Sequence, residues 1–173
     1  MMRTFAAAGL LTAAVLTCGP DVDACGDKSL SAGGIRMQRA LAARYPASIL
    51  MYVPSASRLP GATRELKLHD TLRQVGHKYN EVTTWLELEA SVDTGQFNII
   101  LADVADLADL QQKFESSPSR VVIVPVAYKP TKAEAAEAAK QCRFLIKAPS
   151  RAAEYLTTIA AAVRSRSGIP RKG

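Results

Sequence analysis

Five short strand-like runs, spaced by stretches of helical periodicity, constrain this chain more than any other feature. They are ASILMYV (47–53), YNEVTT (79–84), FNIILA (97–102), SRVVIVPVAY (119–128) and RFLIK (143–147). Most are apolar without alternation, so a strand made from them must be covered on both faces. Pro125 has no ladder donor and is expected to end the fourth strand near Val124.

The intervening stretches carry helix signals. Leu68, Leu72 and Val75 share one helical face, and Gly76 closes that segment. Thr84 with Glu87, and Thr131 with Glu134, have the spacing of capping boxes, opening helices that run to about Gly95 and Cys142. Leu107, Leu110 and Phe114 mark another helix; Tyr155, Ile159 and Val163 mark the last, with Ser150 as its cap. PSASRLPGAT (54–63) reads as a loop because of its Pro, Ser and Gly. Residues 25–46 read as an N-terminal extension with a short helix from Ile35 to Ala43.

Strand and helix in strict alternation call for an α/β fold: a parallel sheet with helices on both faces. Right-handed crossovers make it a doubly wound sandwich, with its ligand crevice at the carboxyl ends of the strands. One such domain is expected over 47–164, followed by a basic flexible tail, 165–173.

The N-terminus reads as a leader. Arg3 precedes the apolar run FAAAGLLTAAVLT (5–17), too short to span a bilayer, and VDAC (22–25) offers a cut after Ala24. Residues 1–24 are therefore expected to be a signal peptide and the mature chain to be periplasmic or extracellular, with no transmembrane segment after leader removal. Cys25 would then stand at the new terminus, where lipidation could anchor it. A Cys25–Cys142 disulfide is also permitted in an oxidising compartment; otherwise Cys142 packs as a small hydrophobe at a helix end. Two cysteines without a histidine cluster give no zinc site. The leader holds one positive and two negative charges, so its loss would raise the net charge from +6 to +7. Arg and Lys are scattered and not interleaved with aromatic residues, so nucleic acid is not an expected partner.

LRQVGHKYNEVTTWLELEASVDTGQFNIILADV (72–104) and FLIKAP (144–149) resemble stretches of the receiver domain of bacterial response regulators, the CheY-like family. The resemblance covers roughly 47–163 and implies a flavodoxin-like fold with strand order 2-1-3-4-5. It puts Asp103 at the phosphoacceptor position and Lys147 at the position of the Lys that contacts the phosphoryl group. Two features depart from the family pattern. Receivers carry two acids after strand one to hold magnesium, whereas YVPSAS (52–57) has no carboxylate. They also place Thr or Ser at the end of strand four, where IVPVAY (123–128) offers Pro, Val and Ala. Asp106 and Asp109 follow on a helix and are expected to point elsewhere. Phosphoryl transfer needs a bridging cation, and magnesium usually keeps one or two carboxylates. Asp103 and Lys147 therefore read as a remnant, forming either an ion pair or a solvated pair.

Three functions are compatible with these residues. The first is a non-enzymatic, receiver-like module without a cofactor. It would bind a protein partner, or a second copy of itself, through the face built from residues 132–163. The second is a phosphoacceptor in a two-component phosphorelay, using Asp103 with Mg2+. The third is a binder of small ligands or polyanions in the crevice, using Lys147, Arg58 and Arg64. Ser55 and Ser57 lie in the crevice loop, but no positioned base accompanies them, and their small side chains suit a loop. His69 and His77 read as surface imidazoles, and Trp85 as a residue at the edge of the core.

Overall fold

A computed structural model describes residues 32–64, 66–115 and 121–167. The leader, Cys25 and the end of the basic tail lie outside them. In chain order the elements are α1 (Ala32–Arg44), β1 (Ser48–Tyr52), α2 (Leu59–Arg64), α3 (Leu68–Val75), β2 (Lys78–Val82), α4 (Trp85–Asp93) and β3 (Ile99–Asp103). A 3-10 turn (Val104–Asp106) leads to α5 (Leu107–Phe114), then β4 (Val122–Tyr128), α6 (Lys132–Gln141), β5 (Ile146–Ala148) and α7 (Ala152–Arg166). All neighbouring strands are parallel, in the order β2-β1-β3-β4-β5. This is the receiver-type, flavodoxin-like sheet that the sequence implies.

The lack of alternation in the strands is explained by two cores. Ile49 and Met51 of β1, with Ile99 and Leu101 of β3, pack under Leu59, Leu68, Leu72, Tyr155 and Ile159 of α2, α3 and α7. The intervening residues Leu50, Tyr52, Ile100 and Ala102 pack under Leu88, Val92 and Leu110 of α4 and α5. Burying each Leu or Ile contributes about 1.5–3 kcal/mol, so a polar residue at any of these positions would break one layer. α6 adjoins α5, with Gln111 Nε2 donating to Gln141 O.

Local signals set the helix ends. Thr84 Oγ1 accepts from Glu87 N at 3.3 Å while Glu87 Oε2 accepts from Thr84 N at 3.2 Å. Thr131 and Glu134 make the same reciprocal pair, at 3.2 and 2.7 Å. Gly76, at φ 101°, ends α3 in the left-handed conformation that its missing side chain allows.

Several expectations are corrected. β4 does not stop at Val124. Val122 N points to β3, donating to Asn98 O, so by alternation the nitrogen of Pro125 faces β5. β5 pairs only from Val126 onward, and no ladder bond is lost. The segment read as a loop holds α2, with Pro60 in its opening turn, where a missing N–H costs nothing. Ser150 does not cap α7; Arg151 holds the cap position without a side-chain bond, and Ser150 Oγ is buried without a partner. α7 also runs through Arg166, into the segment read as a tail. α1 packs on α3 and α7, with Ala42 and Tyr45 buried in the first core.

Candidate functional site

The carboxyl ends of β1 and β3 bring the crevice residues together, and Asp103 is at its centre. It is the last residue of β3 and only 1% exposed. Oδ2 accepts from the backbone N–H of Arg58 at 2.7 Å, and Oδ1 accepts from that of Ala105 at 3.1 Å. The carboxylate thus ties the β1–α2 loop to the top of β3 and caps the 3-10 turn that follows.

The rest of the crevice is closed by the chain itself. Ser57 Oγ accepts from Leu59 N at 3.1 Å and starts α2; Ser55 is exposed. α2 packs against β4, and a Cβ on Gly61 would stand 3.1 Å from the ring of Tyr128, at the end of β4. Lys129 follows at φ 48°, its N–H bonded to Ala148 O.

Lys147 does not join Asp103. Its side chain is exposed on the edge strand β5, opposite Ala127, and no ion pair links the two. The direct ion pair is therefore absent: β4 separates the two strands, and Asp103 accepts from backbone donors instead. Arg58 and Arg64 also diverge: the charge of Arg58 acts on Glu134 at the start of α6, whereas Arg64 lines a cavity over β2.

Asp106, on the 3-10 turn after β3, is half-buried, with its Oδ2 buried and without a hydrogen-bond partner. Burial, then the like charges of Asp103 and Asp109, push its carboxyl above the ordinary range. Burial, then the charges of Asp106 and Asp109, likewise raise the Tyr52 phenol. Tyr52 makes an edge contact with Trp85, which stacks on Phe114, so Trp85 does sit at the edge of a core.

The residues do not fit magnesium. Extending the β1–β3 register brings Val53, not an acid, level with Asp103. Both Asp103 oxygens already accept backbone N–H groups. Among the described residues, no group of three or more His, Cys, Asp or Glu could hold a metal ion.

His77 is also not a surface imidazole. It is 5% exposed, and burial lowers its pKa. Nδ1 accepts from Ala47 N at 3.2 Å, clamping the start of β1 to β2. The polar Lys-Tyr-Asn context hid this from the sequence. His69 is exposed, its ring tilted against that of Tyr79, with centroids 4.6 Å apart. Cys142 lies at the end of α6, as expected, with Sγ 3.0 Å from Ala138 O; burial raises its thiol.

No family model matches the chain, and no curated protein matches it in sequence. Solved structures do match in shape. The signal receiver domain of a putative Luxo repressor protein from Vibrio parahaemolyticus superposes with a TM-score of 0.53 at 9% identity. That match covers 70% of this chain and 93% of the other. A response regulator receiver protein from Burkholderia phymatum gives a TM-score of 0.49 at 14% identity, covering 73% and 99%. The first of these likenesses shows the fold: this chain has the architecture of a receiver domain.

Proposed function

We propose that this chain is a non-catalytic, receiver-like signalling module that acts through protein–protein contact and is not phosphorylated. The observation that carries this reading is the engagement of Asp103, whose two oxygens each accept a backbone N–H in a site 1% exposed. A phosphoryl group on either oxygen would displace one of those donors, and leaving a buried N–H unpaired costs about 1–3 kcal/mol. Val53 and the loop after it supply no carboxylate to help hold a cation that would offset the loss.

The surface offered to a partner is the face of α6, β5 and α7, residues 132–163. Ala133, Ala136 and Ala139 are exposed on α6, and such small side chains let another chain approach closely. A second copy of the chain is one such partner. The leader-like residues 1–24 add export to this reading, and sequencing the N-terminus of the native protein tests it: a chain that still starts at Met1 removes export.

The phosphorylation question is tested by incubating the protein with acetyl phosphate and magnesium and recording its intact mass. The expected spectrum shows no added phosphoryl group. An adduct that disappears in Asp103→Asn would replace this reading with the phosphoacceptor one.

A further inference from the structure

The helical segment between β1 and β2 is broken, and the break opens a cavity. α2 ends at Arg64 and α3 begins at Leu68. Lys67, between them, has φ 45° and ψ 46°, a left-handed conformation that is unfavourable for a residue with a Cβ. α2 leans on β4, and a cavity of about 240 Å³ is left over β1 and β2. It lies over the β1–β2 side of the sheet, under α2 and α3, away from the β1–β3 switch point where Asp103 stands.

Its chemistry is two-sided. Met51, Val53 and Leu68 make an apolar floor. The ring of Tyr79 forms a wall with the His69 ring tilted against it, and its hydroxyl is already committed, donating to Glu81 Oε2 at 3.0 Å. Arg64 and Lys67 stand at the rim. Lys67 is also the cap residue of α3, without a side-chain cap bond, and Asp70 in the first turn offsets the positive end of that helix. Among the described lining residues, Glu81 is the one carboxylate.

We propose that this cavity is a binding site for a small organic anion with an apolar body, its charge held by Arg64 and Lys67 and its body seated on Met51, Val53 and the Tyr79 ring. The site is separate from the Asp103 crevice and does not depend on the partner-binding role proposed above. Strain held at Lys67 fits this role, since residues kept in unfavourable backbone regions concentrate where ligands are clamped.

The test is NMR titration of the full chain with phenyl phosphate and, separately, inorganic phosphate. The expected result is saturable shifts with phenyl phosphate, confined to residues 63–69 and 79–81, at a Kd of about 1 mM or tighter. Inorganic phosphate should bind at least about tenfold more weakly, because it leaves the apolar floor unused. Lys67→Gly is the decisive variant: glycine accepts the left-handed backbone, so the fold is kept while the charge is removed. It should retain the wild-type melting temperature or exceed it, and weaken phenyl phosphate about tenfold. The proposal is overturned by the absence of saturable shifts, by equal binding of the two anions, by shifts centred elsewhere, or by full affinity in a folded Lys67→Gly protein.

Discussion

The backbone N–H of Arg58 donates to Oδ2 of Asp103 over 2.7 Å, joining residues 45 apart in the chain. The bond makes the acid at the tip of β3 the anchor of the loop after β1. A chain this small keeps few such long-range polar ties, so its loss should be visible in global stability.

Asp103→Ala is expected to destabilise the protein by about 2–3 kcal/mol, since two N–H groups lose their acceptor in a mostly buried site. Asp103→Asn should cost less, because its amide oxygen can still accept one of them. Urea unfolding measures both. A variant as stable as wild type, or more so, would mean that the carboxylate is not holding the loop.

His77 makes the fold sensitive to acid. Burial lowers its folded-state pKa below the unfolded value of about 6.5. The unfolded chain therefore binds the proton more readily, and the stabilisation is complete above that value and lost as pH falls towards the folded-state pKa. Protonation would also turn Nδ1, which accepts from Ala47 N, into a donor. The melting temperature should drop between pH 7.5 and pH 5, and His77→Asn, which keeps an acceptor but cannot titrate, should flatten that slope. An unchanged slope would remove His77 from the account.

Asp106 has the opposite sign. Its folded-state pKa is raised, by burial and by Asp103 and Asp109, so its ionised form works against folding at neutral pH. Asp106→Asn should therefore gain about 0.5–1 kcal/mol at pH 7, the scale of a partly screened charge contact. The gain should shrink as pH falls through the carboxylate range, where the wild-type residue takes up its proton. Chemical denaturation at two pH values reads this out, and a variant equally stable at both would contradict it.

Lys129, at φ 48°, carries backbone strain after β4. Lys129→Gly should raise stability by about 0.5–1 kcal/mol, the left-handed penalty less the entropy that glycine loses on folding. Thermal unfolding decides it: a lower melting temperature would show that the Lys side chain, which lies 5.1 Å from the Tyr128 ring centre, matters more than the strain.

The sheet was legible in the sequence because its physics is local. Runs such as Asn98–Ala102 have no alternation, and only a doubly covered strand tolerates that. Both capping boxes were legible for the same reason, as spacing alone defines them. What depends on neighbours distant in sequence was hidden. Pro125 looked like a breaker until the short reach of β5 showed its nitrogen facing no partner. Pro60 and Gly61 looked like loop residues, although one suits a helix start and the other makes room for Tyr128. Asp103 ends β3 as expected, whereas Lys147 lies in the middle of β5, with β4 between them, and nothing in the sequence says that Arg58 and Ala105 would reach the acid. The cavity beside Lys67 draws on four separate elements, and no motif encodes it.

The placement of α1 has a practical consequence. A researcher trimming this protein to start at β1 would strip the outer cover from α3 and α7, and with it the buried side chains of Gln38, Ala42 and Tyr45. The minimal expressible unit should be drawn from the residue-32 side of that helix, and shorter clones are a route to aggregates.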